Sequence, residues 1–97
     1  MEFLIKQTHG YWFNLPSELF SEALHPNSIA SKAIAGWGDY RIEVMECEIA
    51  FSFESPGIQV IFGNDNIPEA LAQQLIEEIC QNITTLTGQR AEVIWLS

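Results

Sequence analysis

Basic residues are scarce in this chain. Four lysines and arginines stand against thirteen aspartates and glutamates, a formal net charge of −9 over 97 residues. Nucleic-acid binding rests on Lys and Arg neutralising phosphates, so a surface this acidic excludes it, and anionic membranes repel it in the same way. What such a surface admits is a basic protein partner or a cation, and its plainest consequence is solubility. The charge is also uneven. Residues 1–38 carry three acids and two bases, whereas residues 39–97 carry ten acids and two bases.

Cysteine is equally sparse. Cys47 falls in a strand pattern and Cys80 in a helix pattern, each on an apolar face, where a thiol behaves as a small hydrophobe. Neither has the neighbouring cation that a reactive thiol needs. The first residues, Met1-Glu2-Phe3-Leu4-Ile5-Lys6, lack the basic and long apolar regions of a signal peptide. No apolar run approaches the roughly 18 residues of a membrane span. The expected compartment is the reducing cytoplasm, with both thiols free.

Catalytic and cofactor signatures are missing too. The two histidines, His9 and His25, fall in candidate loops and outside any nucleophile motif. No C-x-x-C, H-x-x-x-H or EF-hand spacing exists, and Gly10, Gly36 and Gly38 form no phosphate-cradling loop. Glu46 and Glu48, two apart on one strand, are positioned to share a cation, although exposed carboxylates in this pattern are more often simply solvated. No cofactor or resident metal is expected, and the chain reads as a non-enzyme.

What the sequence does hold is periodicity. Met1–Gln7 alternates weakly as a first strand. Pro16 and Ser17 open a short helix with Leu19, Phe20, Ala23 and Leu24 on one face, and His25-Pro26 closes it. Ser28 is placed to cap a second short helix through Ala35. Tyr40–Phe53 carries the strongest alternation, but its phase changes. Tyr40, Ile42 and Val44 keep one parity, then Met45, Cys47, Ile49, Phe51 and Phe53 keep the other. Because strand side chains repeat every two residues, this requires a β-bulge near Val44–Met45 or a break into two strands. Ser55-Pro56-Gly57 fits a type II turn, with glycine supplying positive φ, into a strand over Ile58–Phe62. Residues 40–63 thus form a long antiparallel hairpin.

Asn66 and Glu69 have capping-box spacing ahead of a helix from Ile67 or Pro68 to about Thr87. Its apolar stripe is Leu71, Leu75, Ile76, Ile79, Cys80, Ile83 and Leu86. Gly88 is its C-cap, and Arg90–Leu96 is a last strand. The order is β-α-β-β-α-β within one α+β domain, residues 1–97. This is a ferredoxin-like arrangement of an antiparallel four-stranded sheet with helices on one face; the alternative is a ββαβ core with an irregular N-terminal third.

Candidate function then lies on surfaces. Tyr11, Trp12, Phe13 and Trp37 fall in segments of poor periodicity. They either wrap over one end of the core or present interface hot spots. If Phe3, Ile5, Val60, Phe62, Val93 and Trp95 face the helices, then Leu4, Ile61, Ile94 and Leu96 face outward. Four aliphatics on central strands make a patch for a homo-oligomer or a partner, unless the aromatic segment covers it. Three functions follow: a self-associating protein-interaction or regulatory domain; an acidic inhibitor or immunity-type protein that masks a basic site, with Glu43, Glu46, Glu48 and Glu54 along one strand; and a small-molecule sensor with a pocket between the long helix and Tyr11–Phe13.

Overall fold

The computed structural model describes residues 1–9, 15–54 and 57–97. It is an α+β protein in which the described residues form one six-stranded antiparallel sheet and two helices. The strands are β1 (Glu2–Gln7), β2 (Lys32–Ala33), β3 (Tyr40–Val44), β4 (Cys47–Glu54), β5 (Gly57–Phe62) and β6 (Ala91–Trp95). The helices are α1 (Phe20–Ala23), which continues a 3-10 turn over Ser17–Leu19, and α2 (Glu69–Thr87). The sheet order is β2-β3-β4-β5-β1-β6, so β5 and β6 run parallel with β1 between them and α2 carries the crossover.

Strand alternation and the α2 stripe meet in a single core. Phe3, Ile5, Ile42, Ile49, Phe51, Ile58 and Val60 from the sheet pack with Leu75, Ile76, Ile79 and Ile83 of α2 and with Ala23 and Leu24 beside α1. Leu86, at the end of the stripe, is 36% exposed. Gly88 closes α2 in the left-handed region at φ 73°, where a side chain would be strained.

The structure departs from the sequence reading in four places. First, the sheet has six strands rather than four, and the expected helix over Ser28–Ala35 is absent. Lys32 and Ala33 pair with Glu43 and Ile42, and the Ile34 N–H donates to the Arg41 carbonyl at 2.9 Å. A helix this short has little stability of its own, and the open edge of β3 offers the backbone ready partners. Second, residues 40–63 are three strands. The phase change is a two-residue turn in which Met45 (φ 51°) and Glu46 (φ 61°) both lie in the left-handed region, as in a type I′ hairpin. Third, Asn66 does not cap α2. Pro68 holds the N-cap position without a side-chain bond. Asn64 Oδ1 instead accepts the Asn66 N–H, and Asn64 and Asn66 each donate a side-chain N–H to the Glu46 carbonyl at 3.1 and 3.3 Å, bracing the strained turn. Fourth, Gly57 lies in β5 without positive φ. It is needed because a Cβ there would run into the Ile5 carbonyl of β1. Ser55 and Pro56 of the expected type II turn lie outside the described residues.

Candidate interaction surfaces

The sheet's two faces differ. Phe3, Ile5, Val60 and Phe62 are buried toward α2 and Val93 is half-buried, so the opposite parity faces away from the helices. On that open face Leu4 stands directly between Gln59 and Ile94, and Ile61 stands beside Glu2. Leu96 is tied to the same point, because its N–H donates to the Glu2 carbonyl at 2.9 Å. The four aliphatics therefore surround Glu2 as one island. Their exposure is graded: Leu4 and Ile61 are half-buried, while Ile94 is 36% and Leu96 46% exposed. The accessible part lies on and beyond β6, which is an edge strand rather than a central one.

The acidic residues are distributed differently from the expectation. Glu46 lies in the β3–β4 turn and Glu48 on the open face of β4, so they do not share a strand face. Glu48 accepts from Arg41 at 3.4 Å, and Glu43, opposite it in register, pairs with Lys32 at 3.1 Å. Among the described residues no cluster of three or more His, Cys, Asp or Glu is placed to hold a metal ion. Trp37 is 58% exposed in the loop before β3. Tyr11, Trp12 and Phe13 lie outside the described residues, and with them the expected pocket against α2.

Parity turns Trp95 toward the helices with Phe3 and Val93. It does meet Phe3 edge-on at 5.0 Å between ring centroids, yet it remains 42% exposed, β6 being the last strand of the sheet among the described residues. Beside it, Ala91, Glu92 and Val93 of β6 and Glu77, Cys80, Gln81 and Thr84 of α2 line a groove of about 240 Å³. Burial, reinforced by Glu77 and Glu92, pushes the Cys80 thiol up to about 11, which leaves it protonated and unreactive at neutral pH. Cys47 is buried, its Sγ 3.7 Å from the Glu48 carbonyl and 3.8 Å from that of Asn64.

The other end of the molecule is held by polar contacts that the sequence did not reveal. His25 is half-buried rather than solvent-exposed. Its Nδ1 lies 2.6 Å from Ser31 Oγ and its Nε2 2.7 Å from the Tyr40 hydroxyl, and burial lowers its pKa. A Ser–His contact is the germ of a nucleophilic site, but such a site orients and stabilises the imidazolium with a carboxylate. Here a tyrosine takes that position, and the trio works as a latch from the loop to β3. Glu78 accepts the Asn27 N–H, the Ser28 N–H and the Ser28 hydroxyl at 2.8, 2.9 and 2.6 Å, and these bonds to its charged form lower its pKa, the Ser28 hydroxyl first. Asn82 Nδ2 donates to the His25 carbonyl at 3.0 Å and lies within reach of the Ala23 carbonyl and Asn27 Oδ1.

No helix among the described residues is long and apolar enough to cross a membrane. The chain matches no protein-family model, no curated protein and no solved structure.

Proposed function

We propose that this chain is a non-enzymatic protein-interaction or regulatory domain that self-associates through its sheet, in the cytoplasm. The observation that carries the reading is the apolar island of Leu4, Ile61, Ile94 and Leu96, with the half-exposed Trp95 on the other face of the same edge strand, on a chain of net charge −9. Apolar surface gathered in one place favours association, and aromatics supply its anchors. We read the inner order β4-β5-β1-β6, with α1 and α2, as a ferredoxin-like split βαβ arrangement to which β2 and β3 add an edge.

Sedimentation velocity over a concentration series tests this. The chain is expected to show a reversible, concentration-dependent increase in mass. A strict monomer at millimolar concentration would sink the reading.

A second reading, an acidic protein that masks a basic partner site, is supported by Glu43, Glu48 and Glu54 on the open face and Glu46 on the adjacent turn. Salt separates the two. Attraction to a basic partner weakens as ionic strength rises, whereas association between two acidic copies strengthens as their mutual repulsion is screened.

A further inference from the structure

We infer that the outer edge of β6 is the self-association site, pairing antiparallel with β6 of a second copy about a two-fold axis at Val93, so that each copy's Trp95 enters the other's groove beside Ala91. This rests on the self-association reading above and specifies its contacts.

Backbone direction comes first. In an antiparallel pair, alternate residues turn both backbone polar groups toward the neighbour and the others turn theirs away. The Thr8 N–H donates to the Arg90 carbonyl at 2.9 Å, and the Leu96 N–H to the Glu2 carbonyl at 2.9 Å. With the register Lys6↔Glu92 and Leu4↔Ile94, residues 90, 92, 94 and 96 therefore bond to β1. Ala91, Val93 and Trp95 turn their N–H and C=O groups outward, where no strand is paired among the described residues. Edge strands of this kind are templates for strand addition. A two-fold axis at Val93 pairs 93 with 93 and 91 with 95, which places every outward-turned residue of one copy opposite an outward-turned residue of the other.

Side chains fit the same register. Cross-strand partners project to the same face of a sheet. The second copy's Trp95 therefore stands over Ala91, the small residue that opens the groove between β6 and α2. The groove is of a size for an indole ring, and two of its lining residues, Thr84 and Glu77, carry oxygen acceptors suited to an indole N–H. On the opposite face Arg90 stands across from the second copy's Leu96, one strand from its Glu2, so a cation approaches a carboxylate over an apolar stem.

Charge and area set the strength. Two of the four basic residues, Lys6 and Arg90, flank β6 and balance Glu77 and Glu92, and Lys6 pairs with Glu92 at 3.6 Å. Like-charge repulsion at this edge is thus partly offset. An aromatic side chain contributes 150–250 Å², so Trp95, 42% exposed, offers roughly 100 Å². With Ile94 and Leu96 added, each copy brings well under the roughly 800 Å² of a stable interface, so the dimer is weak and transient.

The test is sedimentation velocity of the full chain at high concentration, with far-UV circular dichroism to confirm the fold. Val93→Pro removes an N–H that points outward, so β1 pairing is retained while the central bonds of the dimer are lost; the dissociation constant is expected to rise about tenfold or more. Gln81→Arg, at an exposed groove position, blocks entry of the second copy's Trp95 and should weaken association similarly. Ile61→Lys, half-buried on the open face of β5, is the contrasting variant and should weaken association less than either. Raising NaCl from about 50 to about 500 mM should tighten the dimer. If Ile61→Lys abolishes association while Val93→Pro and Gln81→Arg do not, the edge proposal is overturned but self-association through the open face stands. If no form associates, both readings fall.

Discussion

The two edges of the sheet are built on different principles. At one edge β2 is only two residues long, Lys32 pairs with Glu43, and the preceding loop is tied down by Glu78, Asn82 and the His25 latch. Shortness and charge are devices that stop an edge from recruiting another strand. At the other edge β6 runs for five residues, with Val93, Ile94, Trp95 and then Leu96 in an unbroken apolar row, and three consecutive large side chains are at least one-third exposed. This contrast between a protected edge and an apolar one is what motivates the proposal that association uses the second. The contrast extends to what holds each edge in place: a network of side-chain hydrogen bonds near β2, an aromatic contact and a buried thiol near β6.

Each difference can be broken separately. The largest effect is expected from Phe3→Ala. This fully buried ring supports Trp95 at 5.0 Å and Phe62 at 5.7 Å, and its loss should cost about 3–5 kcal/mol in urea unfolding while freeing the β6 edge. At the opposite edge Asn82→Ala leaves the Ala23 and His25 carbonyls without that donor and should cost about 1–3 kcal/mol, with hydrogen exchange accelerated first around residues 25–34.

The edges should also respond to pH in opposite senses. The Cys80 pKa beside β6 is raised, so its contribution is complete below the unfolded value of 9 and is lost as pH climbs toward about 11, on the order of 1 kcal/mol by pH 10. The window from 9 to 10 isolates it, because Tyr40 is raised above 10. Cys80→Ala should flatten the alkaline limb of a pH series of melting curves. Beside β2, the pKa values of His25 and Glu78 are lowered. His25 contributes above 6.5 and loses that contribution as pH falls through its folded value; Glu78 does the same below 4.5. Acid should therefore loosen the β2 loop before the β6 edge.

A smaller change, and a gain, is expected from Met45→Asn with Glu46→Gly. Both positions hold positive φ, and residues suited to that region should stabilise the hairpin by about 1 kcal/mol in the same urea assay. The smallest is Lys32→Ala. Its ion pair with Glu43 is solvent-exposed, and its removal should cost about 0.3 kcal/mol, with aggregation on prolonged incubation reporting the loss of a protective charge.

How much of this was legible in the sequence depends on the range over which each feature is set. Helix α2 was readable from Leu75, Ile76, Ile79, Cys80 and Ile83, because three- and four-residue spacing is a property of the chain segment itself. The turn at Met45–Glu46 was seen only as a change of phase. Neither residue is a turn former, so nothing local separated a bulge from a hairpin. Asn66 reads as a helix cap because capping is the nearest use for an asparagine there, yet its side chain and that of Asn64 meet Glu46, brought in by the fold. The latch of His25, Ser31 and Tyr40 and the clamp of Glu78 on Ser28 join positions up to 50 residues apart, and no pattern announces them.

By itself, then, the sequence determined which side of the long helix and of the longer strands is apolar, where the long helix ends, and that the molecule is acidic, since all three follow from residue type and short-range period. Tertiary structure decided the order in which the strands lie. That order made β2 and β6 the edges, put Ile94 and Leu96 at a rim rather than on a central strand, and left Trp95 half uncovered despite its inward parity. The physical reason is that a strand's alternation is written in two consecutive residues, whereas its neighbour is chosen by pairings between distant parts of the chain, and whether a buried-facing side chain is actually covered depends on whether another strand follows.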